Sequence, residues 1–101
     1  MRPAEIEKYK VRNMSSYKGS GDVVANQFLI TIETDKGTKR IFQSYETVIA
    51  VMDEDGKVTL DKNKWEYSAT TSRYRNQFLC ENTAETRKKI KQGIYVLENL
   101  N

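Results

Sequence analysis

A chain of 101 residues has room for one compact domain with a modest core and excludes a second. Its 38% apolar and 31% charged residues exclude disorder away from the ends, and the longest apolar run, residues 48–52, is far too short to span a bilayer. The absence of histidine and the single cysteine exclude histidine-based triads and internal disulfides, while a net charge of +3 leans toward anionic partners without requiring them.

No signal-peptide pattern opens the chain, so a cytoplasmic protein is expected. Residues 5–14 set Lys8, Lys10 and Arg12 against Tyr9 and Val11, the alternation of an exposed edge strand. Residues 15–22 carry paired serines, Gly19 and Gly21 and read as a mobile loop. The Gly-Ser-Gly within it lacks the following Gly-Lys-Ser/Thr of a phosphate-binding loop. From 24 to 34, Phe28, Ile30 and Ile32 alternate with Gln27, Leu29 and Thr31, and Asp35-Lys36-Gly37-Thr38 turns the chain back into residues 40–43. A second hairpin follows, residues 48–52 and 57–60 around Asp53-Glu54-Asp55-Gly56.

After Leu60 the pattern becomes helical. Ser68 is an N-cap candidate, and Thr71, Tyr74, Phe78 and Leu79 fall on one stripe at helical spacing. An alternating strand with Tyr74, Asn76, Phe78 and Cys80 on one face satisfies the same residues, so residues 69–79 are open between helix and strand. Asn82 and Glu85 form a capping-box pair ahead of helix formers at 84–91, Gly93 stops that helix, and residues 94–100 close the chain as a strand. The predicted fold is α+β, a small single domain with an antiparallel sheet of four to six strands and two short helices toward the C-terminus. Residues 1–25 supply a strand and flexible loop, 26–60 two hairpins, and 61–101 the helical segment and closing strand.

Several motifs fail their tests. Placing Gly56 at the sixth position of a calcium loop puts Val51 first and Lys62 twelfth, where Asp and Glu are required. Asp53 to Gly56 is therefore a solvated turn. Asn-Gln-Phe-Leu occurs at 26–29 and again at 76–79, but the flanks differ and a duplicated unit is not indicated. Cys80 reads as a small buried apolar side chain, and no cofactor or metal is expected. Charge is uneven: residues 53–61 hold four acids and one lysine, whereas 62–91 hold eight basic residues against Glu66, Glu81 and Glu85.

Residues 65–79 read W-E-Y-S-A-T-T-S-R-Y-R-N-Q-F-L, the densest cluster of aromatic, hydroxyl and guanidinium groups in the chain. Trp65, Phe78 and Leu79 suit a core and Ser68 a cap. Thr70 and Thr71 beside Ser68 at a helix N-terminus, with Arg73 and Arg75 just beyond, suit an anion. Tyr67 and Tyr74 suit stacking on a base or filling a partner's pocket. Tyr67, Arg73, Tyr74 and Arg75 are thus the expected contact residues, with Lys88, Lys89 and Lys91 of the second helix as an electrostatic supplement.

The string at 65–79, with Asn26-Gln27-Phe28 and Phe42-Gln43-Ser44-Tyr45, resembles a family of small, mostly uncharacterised bacteriophage proteins sharing a W-x-Y-S-x-T-T-x-x-Y core. The resemblance covers Asn26 to the C-terminus and carries no assigned activity or catalytic residue. It implies a phage accessory protein in the cytoplasm of the bacterial host cell. The expected function is a non-enzymatic binding module for a bacterial host or defence protein or nucleoprotein, of the anti-defence or CRISPR-inhibitor type. The alternative is a single-stranded nucleic-acid-binding protein, and a small enzyme has no motif support. No membrane partner is expected. Monomer and homodimer both stay open, although Lys8, Lys10 and Arg12 oppose pairing through that edge.

Overall fold

The computed structural model describes residues 5–16, 18 and 21–101. Strands β1 (Ile6–Ser15), β2 (Val23–Thr34), β3 (Gly37–Ser44), β4 (Thr47–Met52) and β5 (Val58–Asp61) follow one another across one sheet, each antiparallel to its neighbour. Helices α1 (Ala69–Leu79) and α2 (Thr83–Lys91) come next, and β6 (Val96–Glu98) closes the sheet parallel to β5. A parallel neighbour requires a long crossover, and the two helices supply it. The α+β class and the two helices near the C-terminus are as the sequence predicts, with six strands in the sheet.

Residues 69–79 are helix because Thr71, Tyr74, Arg75 and Leu79 share a buried stripe, which strand alternation cannot provide. Ser68 caps α1 in extended conformation, its hydroxyl accepting from the Thr71 amide at 3.1 Å. Asn82 and Glu85 close a reciprocal capping box at 2.8 and 3.1 Å. Gly93, at φ +76°, follows the Gln92 C-cap and ends α2 as expected.

One reading changes. Cys80 is exposed, because it occupies the left-handed C-cap of α1 at φ +57° and so lies past the helix's inward stripe. The two Asn-Gln-Phe-Leu copies adopt different structures, a strand at 26–29 and a helix at 76–79. The loop expectation for residues 15–22 falls partly on Tyr17, Gly19 and Ser20, outside the described residues; at its ends the Ser16 amide donates to the Asp22 carbonyl at 2.8 Å. The acidic turn is a turn: Asp53 Oδ1 accepts from the amides of Asp55 and Lys57, each at 2.9 Å.

Register fixes the faces. Arg12, Leu29, Phe42, Ala50 and Leu60 align in one row across β1 to β5, and Val11, Ile30, Ile41, Val51 and Thr59 in the next. Successive residues point to opposite sides of a sheet, so the two rows face opposite ways. Both helices belong to the first side. Phe78 stacks on Phe42 with centroids 6.0 Å apart, and the hydroxyls of Ser44 and Thr71 share a buried 3.1 Å hydrogen bond. There the core gathers Met14, Phe42, Ile49, Ala50, Val58 and Leu60 from the sheet with Trp65, Tyr74, Leu79 and Tyr95 from beyond it.

Candidate functional site

Helix α1 does not present the expected contact surface. Tyr74 is buried, Thr71 is buried against Ser44, and Arg75 is fully buried. Arg75 Nη1 donates to the Trp65 carbonyl, and Nη2 donates to Asn76 Oδ1 at 2.9 Å and Thr83 Oγ1 at 2.7 Å. Burial lowers the Arg75 pKa, against the raising fields of Glu66 and Glu81. The physical reason lies in helical spacing: Arg75 is four residues from both Thr71 and Leu79, on the stripe that faces the sheet. With Ser68 capping the Thr71 amide and Thr71 turned inward, the proposed anion site at the helix N-terminus is already satisfied by the protein.

Tyr67, Thr70 and Arg73 are exposed, and the Lys64 ammonium sits over the Tyr67 ring at 5.0 Å. On α2, Lys88 and Lys91 are exposed. Lys89 is not available for phosphate: its ammonium donates to Glu81 Oε1 at 2.7 Å, and that hydrogen bond raises its pKa. Glu81 also accepts from Thr86 Oγ1 at 2.6 Å and from the Tyr95 hydroxyl at 2.7 Å. Burial would raise the Glu81 pKa, but these donors outweigh it and hold the carboxyl below its usual range. Asp61 behaves alike: burial raises it, while the Leu100 amide, the Asn101 carboxamide and further backbone donors bring it below normal. Both buried carboxylates are thus committed to the fold, tuned opposite to a general acid. Among the described residues, no three Cys, Asp or Glu side chains gather as metal ligands.

Two surfaces emerge that the sequence reading missed, on opposite sides of the β1–β2–β3 region. On the side away from the helices lie Tyr9, Val11, Phe28, Ile30, Ile32, Ile41 and Val51, aligned across β1 to β4. Tyr9 and Val11 are 70% and 58% exposed, and none of the seven belongs to the core or to the side chains packed on it. An antiparallel sheet with one solvated face ordinarily turns polar residues outward. Here β1 turns them inward, with Lys10 and Arg12 on the helix side. The signal was present in β2, where Phe28, Ile30 and Ile32 occupy one face and Leu29 the other, so both faces carry apolar residues.

At the corner of this face the segments 26–28 and 42–45 meet. The Tyr45 amide donates to the Asn26 carbonyl at 2.7 Å, and both residues hold positive φ, +54° and +65°. For a bulky side chain such as Tyr45 that conformation is strained. With Phe28, Glu46 and Thr47 the two line an open depression of about 520 Å³.

The second surface is a half-open groove of about 510 Å³ between β1, β2 and β3 and the C-terminal end of α1. Lys10, Arg12 and Arg40 rim it, with Thr31 and Glu33, over a floor of Met14, Leu29 and Phe78. Gln77 closes its end, donating to the Ser15 carbonyl at 3.1 Å.

Fold and surfaces together define a small α+β domain whose sheet carries apolar residues on both faces, one of them packed under the helices. A family model described as a family of unknown function (DUF8033) matches residues 9–93, and the chain belongs to that family. No curated protein and no solved structure matches the chain. Among the described residues, no helix is long and apolar enough to cross a membrane.

Proposed function

We propose that this protein is a non-enzymatic binding module whose contact surface for a partner protein is the uncovered sheet face rather than helix α1. One observation carries the reading: Tyr9 and Val11 of β1 with Phe28, Ile30 and Ile32 of β2 point away from the helices, the first two exposed and the other three half-buried, and none of the five packs on the core. Four strands about 4.8 Å apart, crossed by three rows about 7 Å apart, span an area on the order of 400 Å² that the seven apolar residues share with Asn13, Lys39 and Gln43. Exposed apolar patches of a few hundred Å² mark contact sites, and one this size forms the centre of an interface of ordinary area. The strained corner at Asn26 and Tyr45 adjoins the patch through Phe28 and belongs to segments that carry the bacteriophage resemblance. On that resemblance the partner is a bacterial host or defence protein, met in the host cytoplasm, that presents a complementary apolar surface.

The test is affinity capture from bacterial lysate with the wild-type chain, Ile30→Glu and Arg73→Glu, alongside the molar mass of each purified protein by light scattering. The reading expects a monomer whose captured species is retained by Arg73→Glu and lost with Ile30→Glu while the circular dichroism spectrum is unchanged. A wild-type dimer dissociated by Ile30→Glu would assign the face to a second copy and overturn it. Capture that Ile30→Glu does not affect would overturn it equally.

A further inference from the structure

We infer that the groove between β1, β2, β3 and α1 is a binding site for single-stranded nucleic acid. Lys10, Arg12 and Arg40 all rise on its rim, and none has an ion-pair partner among the described residues. Lys10 and Arg12 are two residues apart on β1, roughly 7 Å, and Lys10 faces Arg40 across Thr31, two strands away or roughly 10 Å. Like charges set this closely repel each other in the free protein, and a negatively charged backbone passing between them relieves that repulsion. Glu33, at the far end of the rim, is the one carboxylate there among the described residues and leaves the groove net positive.

The floor selects among anions. Leu29, Met14 and the half-buried Phe78 ring offer an apolar base, and Thr31 and Gln77 offer hydrogen-bonding groups beside it. A cationic rim over an apolar and aromatic floor fits a ligand whose charged backbone alternates with flat, apolar faces. An acidic peptide supplies the charge without those faces. A volume of about 510 Å³ is that of an ordinary small-ligand pocket, enough to take an unstacked base beside its phosphate. The site is independent of the uncovered sheet face, since the two lie on opposite sides of the same strands.

The experiment titrates a fluorescein-labelled oligothymidylate into the full chain and follows its anisotropy between about 50 and 200 mM salt. Three phosphate contacts give a log–log salt slope of roughly −2, or an affinity loss of roughly 16-fold over that range. Arg12→Ala and Arg40→Ala should each weaken binding and flatten the slope by roughly 0.7 with an unchanged thermal midpoint, while Lys88→Ala and Ile30→Glu leave it as in wild type. Absence of binding at low salt overturns the inference. So does equal binding of a duplex or of poly-glutamate, or a salt slope that Lys88→Ala flattens as much as Arg12→Ala. Because Ile30→Glu lies on the other face, loss of the protein-partner reading would leave this result standing.

Discussion

The Arg75 guanidinium lies 5.0 Å from the centroid of the Trp65 ring while its Nη1 donates to the Trp65 carbonyl, so one side chain holds the connection before α1 by both ring face and backbone. Arg87 approaches the same ring at 5.8 Å and pairs with Glu66 at 2.5 Å. A fully buried guanidinium with no carboxylate partner among the described residues persists because carbonyl, carboxamide and hydroxyl oxygens accept from it. Arg75→Ala removes all of these at once, strands the Trp65 carbonyl in the interior and leaves Asn76 and Thr83 only their contact with each other. A loss on the order of 3 kcal/mol is expected in urea unfolding at pH 7. Arg75→Lys should recover little of it, since an ammonium cannot reproduce the planar fork. Exposed Arg73, two residues away, should cost far less when changed to alanine.

Tyr95 predicts an alkaline limb to the stability curve. Burial, followed by its hydrogen bond to Glu81, pushes its phenol up from 10.0 to about 12. Below pH 10 the phenol is protonated in both folded and unfolded chains, and stability is at its full value. Between 10 and 12 the unfolded chain releases the proton first, so stability falls as pH rises through the folded pKa, by on the order of 2 kcal/mol. Tyr95→Phe should lack this limb, as seen in chemical denaturation at pH 9, 10 and 11.5.

Asp61 and Glu81 predict the acid limb with the opposite sign. Their folded pKa values lie below the ordinary 3.8 and 4.5, so the stability they contribute is present above those values. It is lost as pH falls through the lowered folded values. Asp61→Asn should lower stability at pH 7, because a carboxamide oxygen cannot replace both carboxylate oxygens, which accept from Leu100, Asn101 and Asn63. The same variant should flatten the fall below pH 4 in thermal melts.

The Ser44–Thr71 hydroxyl pair tests the helix-to-sheet joint. Thr71→Val preserves shape but strands the Ser44 hydroxyl in a dry interior, at a cost of about 1–2 kcal/mol. Adding Ser44→Ala removes the orphan, so the double variant should be less destabilised than the sum of the singles. Additive losses in that cycle would show that the two hydroxyls are not coupled.

The hairpins, both caps and the helix following Asn82 were legible because each is encoded locally, in alternation, turn residues and reciprocal capping groups. Helical spacing also marked the inward stripe of α1 through Thr71, Tyr74 and Leu79. Arg75 belongs to that stripe by the same spacing, yet its charge argued for the surface, and only the acceptors at Trp65, Asn76 and Thr83 make burial tolerable. Asn76 is its neighbour, but the Trp65 carbonyl and the Thr83 hydroxyl come from outside α1, so nothing in the helix pattern announces them. The uncovered face was hidden for a related reason. Alternation in β1 and β2 shows which residues share a side, but the side on which the helices settle depends on contacts such as Phe42–Phe78, made across 36 positions of chain.

That separation of faces supports one more prediction. Side chains that the helices do not cover contribute little to folding, so replacing Val11, Ile30 and Ile41 together by threonine should leave the unfolding free energy within about 1 kcal/mol of wild type, threonine being a good strand former. The same triple variant should lose binding of an environment-sensitive apolar dye and gain solubility, because it removes the middle row of the patch. Matched changes on the other side behave differently: Leu29→Thr and Phe42→Thr reach the cluster beneath α1, where Phe42 is fully buried, and should each cost several-fold more. A triple variant as unstable as Phe42→Thr would mean that the outer row is part of the core after all, and the uncovered face would lose its standing as a contact surface.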